Sequence, residues 1–79
     1  MDNLAKYNTA FKECFSVGDT SLNESLVYQS IPEWDSVGHM KMIAVLEESF
    51  SIMMETEDII DFSSYEKGKS ILQKYGVTV

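Results

Sequence analysis

Residues Glu33 to Phe50 read EWDSVGHMKMIAVLEESF, and where the apolar side chains fall in this stretch decides the fold. His39, Met42, Ile43, Leu46 and Phe50 recur at three- and four-residue spacing, which is the period of a helix and not of a strand. At about 100° of rotation per residue they fall within roughly 100° of one another and form a core-facing stripe. Val37, Met40 and Ala44 fall on the opposite side, about 160° to 220° from Met42, flanked by Glu47, Glu48 and Lys41. A chain of 79 residues has little material with which to surround a helix on both sides. The second stripe is therefore expected to be an uncovered surface suited to a partner. Asp35 and Ser36 stand at the start of the helix, where short polar side chains accept from unpaired N–H groups. The helix is predicted to begin near one of them and to run to about Ser51.

Three further helices follow from the same kind of reading. Leu4, Tyr7, Phe11, Cys14 and Phe15 give the first, from about Asp2 to Phe15, with Asp2 or Asn3 as its cap and Gly18 just past its end. A long connection runs from Gly18 to Glu33. Within it Ser21 to Glu24 (SLNE) has capping-box spacing, and Leu22, Leu26, Tyr28 and Ile31 are apolar enough to pin it to the core. Pro32 keeps Ile31 extended. The third helix is short, with Thr56 as cap, Glu57 and Asp58 in the first turn, and Ile59, Ile60 and Phe62 as its apolar contribution. The fourth starts at SSYE, where Ser63 and Glu66 have capping-box spacing, and Gly76 ends it. Ile71, Leu72 and Tyr75 supply its core face. Gly68 inside it costs about 1 kcal/mol relative to alanine, which a close approach by another helix would explain. No strand-length alternation exists. The expected fold class is all-α: a small four-helix bundle forming one domain over 1–79, with a long loop between the first two helices and a short third helix.

Charge and composition narrow the function. The net charge is −7. Residues 33–61 hold eight acids and one base, Lys41, while the remainder balances five acids against five lysines. There is no arginine, which argues against nucleic acid as a partner, since phosphate contacts need clustered cations. An acidic segment suits basic patches on other proteins. No apolar run is long enough to span a bilayer, and the opening MDNLAKYNTAF lacks the basic and apolar blocks of a secretory signal. Cys14, the single cysteine, has no internal disulfide partner and is read as a small buried hydrophobe, so the expected compartment is the cytoplasm. His39 is expected to be packed or half-exposed with one hydrogen bond. No second histidine or placed cysteine completes a metal site with it. Asp35, Ser36 and His39 share one helical turn and do not converge as a catalytic triad, and no paired carboxylates stand out, so no enzyme is expected. No loop has the alternating oxygen ligands and central glycine of a calcium site.

The residues DSVGHMKMI, followed by LEESF, resemble the acyl carrier proteins and the related peptidyl and aminoacyl carrier domains. The resemblance covers nearly the whole chain, from the opening amphipathic helix to the closing one. It implies that Ser36 is the attachment point for 4′-phosphopantetheine, transferred from coenzyme A by a phosphopantetheinyl transferase, with Asp35 as the motif's aspartate. The arm's thiol would carry acyl or aminoacyl groups as thioesters. Val37, Met40, Lys41, Ala44, Glu47 and Glu48 would form the surface presented to loading ligases, synthases or acyltransferases with basic docking patches. Glu47 and Glu48 match the family's acidic pair. Met42, Met53 and Met54 would let the core open for an acyl chain. Trp34 before Asp35, Val37 after Ser36, and Gly38, His39 and Lys41 depart from the fatty-acid-synthesis pattern. They look more like specialised free-standing monomeric carriers of polyketide, peptide or surface-saccharide modification pathways. Two alternatives stand beside this reading: an aminoacyl or peptidyl carrier, and a helical interaction module that keeps the fold without the arm.

Overall fold

A computed structural model describes residues 2–79 of the chain. The helices are α1 (Asn3–Phe15), α2 (Ser36–Phe50), α3 (Thr56–Asp61) and α4 (Tyr65–Gln73), with a 3-10 turn at Asp19–Ser21 in the long α1–α2 loop. Among the described residues there is no strand, only an isolated antiparallel bridge between Val27 and Ser64. No helix is long and apolar enough to cross a membrane. The architecture is a small all-helical bundle.

Aromatic rings fill its centre. Phe11 of α1 lies between 4.9 and 6.3 Å, centroid to centroid, from Tyr7, Phe15, Trp34, Phe62 and Tyr65. Rings bury large apolar areas, and edge-to-face pairs add a preference for one geometry. The two buried tyrosines also need partners for their hydroxyls. Tyr7 donates to the Tyr65 carbonyl at 2.6 Å, and Tyr65 donates to Asn8 Oδ1. Burial pushes the Tyr7 hydroxyl well above the usual tyrosine range, so it stays protonated and keeps donating. These bonds tie α1 to α4. On the other flank, Lys6 of α1 sits 5.8 Å over the Phe50 ring at the end of α2.

The helix ends differ from expectation in instructive ways. Asp2 caps α1, accepting from Ala5 N–H at 2.7 Å. Gly18 does not close it. Ser16 does, in the left-handed conformation, and Ser51 closes α2 in the same way. Gly18 instead precedes the 3-10 turn in an extended conformation. The SLNE box does not form: Asn23 Oδ1 accepts from Ser25 N–H, a local Asx turn that competes with helix. Glu55, not Thr56, occupies the capping position of α3 and makes no side-chain bond there. For α4 the cap is Ser64 rather than Ser63, with Lys67 N–H donating to its hydroxyl. Ser63 is committed elsewhere, because its carbonyl accepts from Tyr28 N–H at 2.8 Å while Tyr65 N–H donates to Leu26 carbonyl at 2.9 Å. This two-bond clamp fastens the long loop to the α3–α4 junction. The close approach expected at Gly68 is made by side chains, one of them from another helix: a Cβ there would lie 2.2 Å from both Phe62 Cζ and the hydroxyl of Tyr7 on α1.

One buried charge stands out. Asp58 of α3 is only 5% exposed. Lys74 Nζ lies 2.6 Å from its Oδ1, and the Tyr75 hydroxyl donates to its Oδ2. Tyr75 in turn accepts Glu55 N–H at 2.9 Å. The Lys74 hydrogen bond first, and the Tyr75 hydrogen bond second, hold the Asp58 carboxyl below its ordinary range. Asp58 pushes Lys74 and Tyr75 upward in return. A carboxyl depressed in the folded state contributes stability that is complete above its unfolded pKa, roughly 4, and is lost as pH falls through the folded value. The raised Lys74 and Tyr75 contribute stability that is complete below their ordinary values and is lost on the alkaline side. Urea midpoints measured from pH 7 down to pH 3 are therefore expected to fall below about pH 4 in the wild type. Asp58→Asn should start lower at pH 7 and decline less over the same interval. Parallel curves for the two proteins would remove Asp58 from the acid transition.

Candidate functional site at the start of α2

Asp35 and Ser36 divide two tasks between them. Asp35 is the N-cap of α2, and its Oδ1 accepts from Gly38 N–H at 2.8 Å. Ser36 is the first helical residue and is exposed. Its hydroxyl is not used for capping; among the described residues its hydrogen-bond partner is the Tyr28 hydroxyl, at 3.2 Å. The amides of Ser36 and Val37 belong to the first turn, where no carbonyl of the helix reaches them.

The approach to this tip is set by Trp34 and Gly38. Trp34 is wholly buried, stacked on Phe15 at 5.0 Å and edge-on to Phe11 at 5.5 Å. Its indole N–H donates to His39 Nδ1 at 3.0 Å. Since the indole can only donate, His39 carries its proton on Nε2, which lies 2.8 Å from the Ile59 carbonyl. His39 thus has two hydrogen bonds instead of the expected one, and links loop, α2 and α3. Gly38 has a reason that spacing did not reveal. The loop backbone presses on the first turn, and a Cβ at position 38 would lie 2.0 Å from the Glu33 carbonyl oxygen.

Beside Ser36 a cleft of about 350 Å³ opens between the loop, α2 and α3. It is lined by Tyr28, Ser36, His39, Met40, Ile59, Ile60, Phe62 and Ser63. The rings of Tyr28 and Phe62 stand edge-on to His39, at 5.6 and 6.1 Å. With both nitrogens engaged, His39 offers the cleft a ring face rather than a base. Tyr28, Ile60 and Phe62 were not singled out for the site by the sequence. Ile60 reads as core by composition but is 72% exposed, because α3 turns Ile59 and Phe62 inward instead.

The outward stripe of α2 is uncovered. Val37 is 78% and Met40 53% exposed, and Ala44 and Glu48 are exposed with them. One expected member of this surface is engaged elsewhere. Glu47 is half-buried, and its Oε2 accepts from Met54 N–H at 2.8 Å, holding the α2–α3 connection. Lys41 is exposed, and its charge favours the Cys14 thiolate. Burial outweighs that charge and pushes the Cys14 thiol up, away from reactivity. Of the three methionines expected to soften the core, Met42 and Met54 are buried, but Met53 is 85% exposed. Among the described residues no three His, Cys, Asp or Glu side chains are grouped to hold a metal. No family model, curated protein or solved structure matches this chain.

Gly38→Ala sets two effects against each other. Alanine gains about 1 kcal/mol of helix propensity. Its Cβ must displace backbone, and overpacking of that kind costs about 1–3 kcal/mol, more where the obstacle is rigid. A net loss of at least about 1 kcal/mol is expected in urea unfolding. A variant as stable as the wild type would show that the Glu33 carbonyl is not held against α2.

Proposed function

We propose that the chain is a carrier protein of the acyl-carrier type, with the acyl-carrier arrangement of its four helices and with Ser36 as the residue that takes 4′-phosphopantetheine from coenzyme A. The observation that supports this reading best is the division of labour at the start of α2. Asp35 does the capping, so the Ser36 hydroxyl has no duty to the helix and stands exposed. The residues present suit the group. A phosphodiester on Ser36 would lie by first-turn amides and the positive end of the α2 dipole, both of which favour an anion. When bound, the arm supplies a thiol that holds acyl or aminoacyl cargo as a thioester. The chain's own residues do the rest. Ser36 offers its Oγ, Asp35 keeps the first turn formed, and the cleft lined by Met40 and Ile60 gives apolar cover beside the attachment point. Val37, Met40, Ala44 and Glu48 form the surface for client enzymes, with Ile60 added from α3. Methionine suits a surface that meets several partners. The cytoplasm, where coenzyme A is drawn on for such transfers, is the proposed compartment.

Intact mass after incubation with coenzyme A and a broad-specificity phosphopantetheinyl transferase tests the reading. The wild type is expected to gain one phosphopantetheine unit and Ser36→Ala none. No gain by a folded, unmodified wild type would favour the interaction module, and a gain that survives Ser36→Ala would move the site to another serine. In the same assay Glu48→Lys is expected to lower kcat/KM severalfold at low salt, with the difference shrinking as salt screens the encounter. A difference that persists at high salt would assign Glu48 a role other than steering.

A further inference from the structure

The contact between the Tyr28 and Ser36 hydroxyls joins a loop residue to the first residue of α2 across eight positions of sequence. Tyr28 is held firmly for a loop residue. Its N–H is bound to the Ser63 carbonyl, and its ring stands edge-on to His39 at 5.6 Å and to Trp34 at 6.5 Å. His39 is itself fixed at both nitrogens, by Trp34 and by the Ile59 carbonyl. The Tyr28 hydroxyl therefore sits at the end of a rigid frame and not on a free side chain.

We propose that Tyr28 is a positioning residue for Ser36, its hydroxyl selecting the rotamer in which Oγ reacts. The proposal rests on the carrier reading above. In the transfer, Ser36 Oγ attacks the coenzyme A phosphorus that bears pantetheine. The Oγ–P bond forms, the P–O bond to adenosine 3′,5′-bisphosphate breaks and that group leaves with the electron pair. The serine proton passes to a base on the transferase. Before the step either hydroxyl can donate to the other. If Tyr28 donates to Oγ, a lone pair stays open to phosphorus and the serine proton is free for the base. After the step Oγ is an ester oxygen without hydrogen, toward which Tyr28 could only donate. One donor hydroxyl would serve both states, and phenylalanine would serve neither. A hydroxyl pair open to water is a modest contact, so the expected effect on rate is about threefold, within about two- to tenfold.

The test joins a structural readout to a kinetic one. In the unmodified wild type, NMR Hα–Hβ couplings of Ser36 are expected to report one staggered rotamer, and in Tyr28→Phe, which keeps the ring packing, an average. Averaged couplings in the wild type itself overturn the proposal without need of any variant. With the transferase, Tyr28→Phe is expected to lower kcat about threefold and leave KM for the carrier unchanged, since the outward face of α2 is untouched. An unchanged kcat overturns the proposal. A raised KM at constant kcat does so too, and makes Tyr28 a docking contact. A wild type that takes no arm defeats the carrier reading and this inference with it. A wild type that is modified as fast as Tyr28→Phe defeats the inference alone.

Discussion

The burial of one indole governs the geometry around Ser36. Trp34 is wholly enclosed, and an enclosed indole N–H needs an acceptor. The acceptor is His39 Nδ1, one turn into α2, and this choice fixes the His39 tautomer and directs its other nitrogen to α3. A single donor requirement thus aligns three segments that have no backbone ladder between them. Next to Trp34 in sequence, the Glu33 carbonyl lies against Gly38. Truncating a core tryptophan generally costs about 3–5 kcal/mol. Here the loss would extend beyond packing, because His39 would be left with an unmatched acceptor.

The acidic segment is less uniform than its count of charges implies. Asp58 is buried and neutralised by Lys74, Glu47 holds Met54 N–H, and Asp35 caps α2. Glu33, Glu48, Glu55, Glu57 and Asp61 remain exposed, and among the described residues none of them is in an ion pair. The three acids taken up by the fold secure the α2–α3 connection, the α3–α4 contact and the start of α2. The other five add negative charge to the surface with little bearing on stability, since exposed charges interact weakly in water. Structure and surface potential therefore draw on different members of one run of residues.

Helical periodicity carried most of the fold. The core stripe of α2 emerges as Met42, Ile43 and Leu46 buried, and α1 follows its apolar face through Tyr7, Phe11 and Phe15. What periodicity could not supply was which of several small polar residues ends or starts a helix. Ser16 and Ser51 take left-handed conformations that a sequence reading reserves for glycine, and Ser64 displaces Ser63 because the loop clamp uses the Ser63 carbonyl. The site was legible at Asp35 and Ser36, whose place is local to one helix turn. Tyr28 and Ile60 were not, since both reach the cleft through tertiary packing. Glu47 was grouped with the outward stripe by angle and by the resemblance, whereas its carboxylate reaches to Met54 N–H.

The exposed apolar residues bear on what kind of surface this is. Burying a side chain of the size of Met40 or Ile60 stabilises by about 1.5–3 kcal/mol, and the fold leaves both in water. They come from different helices, line the same cleft, and lie where Ser36 opens to solvent. Scattered exposure of single apolar side chains is ordinary, but convergence of two helices' residues on a cleft beside an exposed serine hydroxyl is more specific than that. The patch is also small. A few side chains with an acidic margin can favour encounter and brief residence, but they lack the area of a permanent interface. For a chain whose proposed task is to be released by each client in turn, a surface of limited area is the physically consistent choice, because a larger one would slow the dissociation on which the next transfer depends.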